Sequence, residues 1–193
     1  MNINLLITSC AAAFTLMLPL PGSANAEDAL YGARLPEDAV FIRWLAPTVS
    51  AKAFGADFDA EVSNTREYVP VSNAVLDGAE AGRFYSLIGD QIIPEPPRDD
   101  ATKVHLVLLN ADSTPARLIV SANETEVIGA TTAGQARSRG VNPVQAELSV
   151  VTDAGPLATF DLSLRRGQNL TFVVVGDTVT LIENKFAPVV SAN

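Results

Sequence analysis

Cysteine, histidine and tryptophan are nearly missing from this chain, and positive charge is scarce. It holds one cysteine, Cys10, one histidine, His105, and one tryptophan, Trp44. Cys10 lies within the first 26 residues, so the rest of the chain has no disulfide, no thiolate nucleophile and no cysteine-type metal site. A single histidine excludes a metal site built on two. His105 also sits between Val104 and Leu106 in an apolar run, which reads as a structural strand histidine. No G-x-S-x-G turn is present, and neither Gly-Asp pair, 89–90 or 176–177, is followed by serine. A serine nucleophile block is therefore absent. No glycine-rich phosphate loop or dinucleotide fingerprint appears either. No residue is assigned a catalytic, cofactor-binding or metal-binding role, and no cofactor is expected.

Thirteen basic residues face 22 acidic ones, a formal charge of −9. All of these charges lie beyond residue 26. The balance argues against nucleic acid, whose binding depends on clustered Lys and Arg. An anionic polymer would have to be met by a local basic patch rather than by the whole surface.

What is present begins with an export signal over residues 1–26. Leu5 to Leu20 is an almost unbroken apolar run of sixteen residues, short of the roughly 20 that a membrane helix needs. Pro19, Pro21 and Gly22 break it, and Ala24-Asn25-Ala26 supplies an A-x-A cleavage pattern before Glu27-Asp28. Ile7-Thr8-Ser9-Cys10 loosely matches a lipoprotein box. Too little apolar sequence precedes it, so a lipid anchor at Cys10 is disfavoured.

After the signal the chain reads as short strands between turn residues, with no convincing amphipathic helix. Val40–Leu45 is rich in β-branched and aromatic residues. Residues 56–62 alternate at period two and are expected to form a half-buried strand, with Asp57, Asp59 and Glu61 on one solvated face. Phe84–Ile88 and Gln91–Ile93 read as a hairpin on the turn Gly89-Asp90. Lys103–Leu109, Ala116–Val120, Thr125–Ile128, Val144–Val151, Leu157–Leu164 and the hairpin Leu170–Val175/Thr178–Ile182 follow. Three prolines in Pro94-Glu95-Pro96-Pro97 favour an extended spacer.

Residues 84–95 also line up with 171–183, sharing an apolar run, Gly-Asp and a second apolar run. The expectation is an all-β protein of two tandem small β-sandwich domains, Ig-like or jelly-roll-like. The first spans 27–93, the second 101–193, and a Pro-rich linker over 94–100 joins them.

The scarce cations and aromatics supply candidate contacts. Arg137 and Arg139, with Asn142, lie in the Gly- and Pro-containing segment 137–144 just ahead of a strand. Arg165 and Arg166 form a second basic turn. Arginine suits recognition of carboxylates. Tyr31, and Trp44 beside Arg43, are candidates for stacking on a sugar or anchoring a protein.

Several stretches carry a family likeness. Leu30-Tyr31-Gly32, Pro36 and Val40-Phe41-Ile42-Arg43 are followed by Phe84-Tyr85-Ser86-Leu87-Ile88 and Pro94-Glu95-Pro96-Pro97. Arg139-Gly140-Val141-Asn142-Pro143-Val144 and the strand Thr171–Val175 complete the series. In order and spacing these resemble the alginate O-acetylation protein F (AlgF) family of periplasmic proteins. The resemblance implies two β-sandwich domains and a non-enzymatic accessory role in O-acetylation of an exopolysaccharide, most closely alginate. It implies periplasmic and membrane O-acetyltransferases as partners. The alternative reading of the chain is a pair of carbohydrate-binding modules that binds the anionic polysaccharide directly. It carries no catalytic residues.

The signal reading has a direct check. Intact-mass analysis of the exported protein is expected to place Glu27 at the amino terminus and to find no reaction with thiol reagents. A product retaining Cys10 with a lipid-sized mass increment would overturn it.

Overall fold

The structure is a computed structural model that describes residues 34–46, 51–98, 100 and 102–189. The signal segment 1–26 and Tyr31 lie outside the described residues. The chain runs through β1 (Ala39–Trp44), the hairpin β2 (Ala51–Ala53) and β3 (Ala56–Phe58), a 3-10 helix over Ala60–Asn64, and β4 (Val69–Ser72). A second 3-10 turn, Asn73–Val75, leads to β5 (Phe84–Ile88) and β6 (Gln91–Glu95). Then come β7 (Val104–Asn110), β8 (Ala116–Val120), β9 (Thr125–Thr131), β10 (Gln135–Val141) and β11 (Gln145–Thr152). The last strands are β12 (Gly155–Ser163), β13 (Asn169–Val175) and β14 (Thr178–Glu183). The class is all-β, in two sandwich-like halves, as the strand-and-turn pattern predicts. Among the described residues no helix is long and apolar enough to cross a membrane.

The strands form a first sheet in the order β4-β1-β5-β6, a middle sheet β10-β7-β13-β14 and a third sheet β12-β11-β8-β9. Side chains alternate across each strand, and that alternation decides the layering. Val40, Ile42 and Trp44 of β1 join Val69, Val71 and Leu87 on one face, where the β2–β3 hairpin covers them with Ala51, Ala53, Ala56 and Phe58. The opposite face turns to the middle sheet, and there Leu45 and Ile93 pack with Leu109 and Val173. The other side of the middle sheet, including Leu106, Leu108 and Phe172, closes on Leu118, Leu148 and Val150 of the third.

The middle sheet is therefore covered on both faces. Every residue of β7 is buried, and its sequence accordingly reads as a continuous apolar run rather than an alternation. Pro70, which has no N–H to offer, sits in β4, the outer strand of the first sheet, where it discourages pairing with another chain.

The two halves repeat one plan. In the first sheet β1 pairs antiparallel with β4 and parallel with β5, which pairs antiparallel with β6. In the middle sheet β7 pairs antiparallel with β10 and parallel with β13, which pairs antiparallel with β14. Both final hairpins close through Gly-Asp, with Ile88 opposite Gln91 and Val175 opposite Thr178. Matching the turns aligns Ser86 with Val173 and Glu95 with Ile182. Strand pairing then aligns Arg43, opposite Ser86, with Leu109, opposite Val173. Equivalent faces of the two repeats thus look toward each other.

Three parts of the local reading are corrected. The strand expected over 56–62 stops at Phe58, and Ala60–Asn64 is a 3-10 helix. Its turn is held by the amide of Val62 on the Asp59 carbonyl and by the Ser63 hydroxyl on the Ala60 carbonyl. Asp57 pairs with Lys52 at 3.0 Å, but Asp59 and Glu61 leave the strand face. The Arg137–Val141 segment is not a loop but most of β10, a strand too polar to announce itself. Pro94 and Glu95 are the last residues of β6.

The two Gly-Asp turns generate a clean test. Gly89 and Gly176 take φ of 57° and 56°, and a Cβ at either would meet nothing within 4 Å. The cost of a side chain there is purely conformational. Gly89→Val and Gly176→Val are each expected to lower unfolding free energy by about 1–2 kcal/mol in urea titrations. Equal stability to the parent would show that these turns do not need the left-handed geometry.

Candidate functional site

Arg43 has no exposure to solvent, and an arginine so placed must find partners for its N–H groups inside the protein. Strand register delivers them. Ser86 lies directly opposite Arg43, and the Arg43 Nε–H donates to Ser86 Oγ at 2.7 Å. Glu95 lies two residues beyond Ile93, the partner of Ser86 across the hairpin. Arg43 Nη2 reaches Glu95 Oε1 at 2.9 Å, with both side chains fully buried. The same nitrogen donates to Thr171 Oγ1 of β13 at 3.0 Å, and Nη1 donates to Asn184 Oδ1 at 2.6 Å. One guanidinium thereby joins three strands of the two repeats and the segment after β14.

Tyr68 and Arg98 complete the cluster. The Tyr68 hydroxyl donates to Glu95, 2.8 Å from Oε1 and 2.7 Å from Oε2, and accepts from Arg98 Nη2 at 2.7 Å. Arg98 also pairs with Glu95, and Ser86 donates its hydroxyl proton to the same carboxylate. The Arg43 guanidinium lies 4.3 Å from the Tyr68 ring centre, and that of Arg98 lies 4.4 Å from the Phe84 ring, both cation–π distances. The segment after β14 closes the cluster from outside. The Tyr68 amide donates to the Lys185 carbonyl, and the Ala187 amide to the Tyr68 carbonyl, each at 2.9 Å. Phe186 meets the Phe41 ring edge-on at 5.6 Å.

Charge and burial compete here. Burial alone would raise the Glu95 carboxyl pKa, but Arg43 and Arg98, with the hydroxyl protons of Ser86 and Tyr68, hold it below the ordinary value. Tyr68 moves the other way: burial and the neighbouring Glu95 charge raise its hydroxyl, outweighing the two arginines. The carboxylate is saturated with donors and closed to water, so it has no capacity to act as a base on an outside molecule. Among the described residues, Arg98 Nε and Asn184 Nδ2 of this cluster, and Asn169 Oδ1, are buried without a hydrogen-bond partner.

The structure scatters the residues singled out from sequence. Arg43 is interior and offers no surface; Trp44 is buried edge-on to Phe58 at 5.2 Å and borders solvent only where it lines a groove beside the β2–β3 hairpin. Arg137 and Arg139 are exposed on β10 and donate to the Ala130 and Val127 carbonyls of β9 at 2.9 and 3.4 Å. They staple two sheet edges together. Asn142 is exposed and accepts from Lys103 Nζ at 2.7 Å. Arg165 and Arg166 are exposed beside a recess shared with Ser163, Gln168 and Glu183. His105 is a structural strand residue whose Nε2 lies 2.7 Å from the Asp100 carbonyl oxygen. Among the described residues no group of three His, Cys, Asp or Glu is placed to hold a metal ion.

No family model matches this chain, and no curated protein does. Among solved structures it is similar to the C-terminal domain of AlgF from P. aeruginosa. The two share 16% identity with a TM-score of 0.37, over 42% of this chain and 96% of that domain.

Sequence reasoning reached Arg43 but not Tyr68, Ser86, Glu95, Arg98, Thr171 or Asn184. A usable signal was present: an arginine inside the apolar strand Val40–Trp44 requires a buried acid, and Glu95 stands among prolines.

Removing one partner leaves the other as an uncompensated buried charge. Arg43→Ala and Glu95→Gln are therefore each expected to cost about 3–5 kcal/mol of stability. The depressed Glu95 value makes its contribution fully present above the ordinary carboxyl value of about 4.3 and lost as pH falls through the folded value. The raised Tyr68 value makes its share fully present below about pH 10 and lost above it. Chemical unfolding across pH should show the acid limb in the parent and its weakening in Glu95→Gln. Parent-like stability of Glu95→Gln at neutral pH would refute the assignment.

Proposed function

We propose that this chain is a non-catalytic accessory protein of a periplasmic exopolysaccharide O-acetylation system, most closely of the alginate type. In this reading it acts beside separate acetyltransferases as an adaptor. One observation carries it. Four of the stretches that bear the AlgF-family resemblance each send one residue to the same buried node: Arg43, Ser86, Glu95 and Thr171. The residues behind the likeness are thus used to fix two sheets against each other, not to present reactive groups. A protein whose distinguishing residues build a rigid body is suited to holding partners in register. Among the described residues the lone histidine faces a backbone carbonyl rather than a serine hydroxyl, which also favours a role without acyl transfer.

The exposed positions of Arg165 and Arg166 support a second reading, direct contact with the anionic polysaccharide. Such contact would weaken steeply with salt.

Deleting the gene in its host is expected to abolish acetyl esters on the exopolymer while the polymer is still made. Complementation by the parent or by His105→Ala should restore them. Normal acetylation in the deletion strain would overturn the adaptor role, and failure of His105→Ala alone would point to an enzyme. Saturable binding of uronate oligosaccharides, lost in Arg165→Ala/Arg166→Ala, would instead favour the second reading.

A further inference from the structure

The β2–β3 and β5–β6 turns enclose a groove of about 700 Å3, lined by Trp44 and Leu87 at its base and by Phe54, Lys52, Asp90 and Ile92. That volume falls in the range of roughly 300–1,000 Å3 typical of small-ligand sites. Trp44, one of the residues at the base, carries an unanswered donor. Trp44 is 3% exposed, and its indole Nε1–H is buried without an acceptor. Buried polar groups in folded proteins nearly always have a partner, and among the described residues this N–H has none, so an acceptor carried by a ligand would satisfy it. One wall is fixed in place. Phe54 adopts a left-handed backbone, φ 51°, with its carbonyl accepting from the Asp77 amide at 2.8 Å and its ring edge-on to Tyr85 at 4.8 Å. The rim supplies opposite polarities, since Lys52 and Asp90 are exposed on facing hairpins.

We propose that this groove binds an acetylated sugar. The acetyl carbonyl accepts the Trp44 N–H, the methyl group lies against Phe54 and Leu87, and ring hydroxyls reach the Lys52 ammonium and the Asp90 carboxylate. A bare hydroxyl would satisfy the N–H but leave the apolar wall uncovered; a carbonyl carrying a methyl group answers both. The choice of an acetylated sugar rests on the O-acetylation reading above, whereas the cavity and its orphan donor do not. Because Nε1 is buried, the ligand engages it with a small shift of the indole.

Trp44 is the only tryptophan in the chain, so the protein has one indole N–H resonance and one source of tryptophan fluorescence. The test titrates the 15N-labelled mature protein with O-acetylated uronate oligosaccharides, the same oligosaccharides after de-O-acetylation, and diacetylchitobiose. A saturable downfield shift of the indole signal with acetylated probes is expected, with no shift from the deacetylated ones. Lys52→Ala/Asp90→Ala, confined to the exposed rim, should weaken binding about tenfold while the rest of the spectrum is retained. A response to diacetylchitobiose alone supports the site and assigns it to amide sugars. An indole signal unmoved by every probe, or moved equally by deacetylated ones, overturns the proposal. The acetyl-ester assay in the deletion strain reads the adaptor role separately, so either idea can fail alone.

Discussion

A guanidinium shut away from water must be answered on every side, and Arg43 is answered from both halves of the chain. Moving a charge of this kind out of water costs several kcal/mol even after the protein relaxes. The cost is offset only if the carboxylate, hydroxyls and amide that meet it arrive together. They come from β5, β6, β13 and the segment after β14. The register of the first sheet, the seating of the middle sheet on it and the path of the chain after β14 are thus conditions of one another. Apolar contact alone would not impose this. The cluster of Leu45, Ile93, Leu109 and Val173 beside the node would tolerate small slides of one sheet on the other, while hydrogen bonds with fixed directions would not.

The internal repeat sharpens this point. Where one repeat carries Arg43, Ser86 and Glu95 toward the junction, the other carries Leu109, Val173 and Ile182 at the matching places. Two sheets with the same plan could meet in more than one way if both faces were apolar. Making one of them polar selects a single arrangement, because among the described residues Arg43 finds its acceptors on the opposite side at Thr171 and Asn184. The asymmetry of composition, laid over a symmetry of topology, is what makes the pairing unique.

Most strands were legible because their residues alternate or run apolar between turn signals, as in Phe84–Ile88 and Lys103–Leu109. β7 and β13 read as unbroken apolar runs because both faces of their sheet are covered. β10 was illegible for the opposite reason: Gln135, Arg137 and Arg139 spend their outer faces in solvent and on the β9 carbonyls, so no apolar stripe betrays them. β4 was hidden by Pro70, and the Asp59–Val62 stretch mimicked a strand because a short 3-10 turn can share its alternation. The node was illegible in a different sense. Its members are spread from residue 43 to residue 184, and nothing local marks Thr171 or Asn184 as partners of a distant arginine. Only the oddity of a charge inside Val40–Trp44 hinted that a buried acid had to exist.

The way the segment after β14 returns to Tyr68 bears on how the protein comes into being. A chain synthesised amino end first presents β1, β4, β5 and β6 long before Thr171, Asn184 and Lys185 are made. Until those arrive, Arg43 and Glu95 lack part of their enclosure and Tyr68 lacks its backbone partner. The first sheet is therefore an unfinished object for most of the chain's synthesis, and it becomes a finished one only when nearly the whole chain is available to fold.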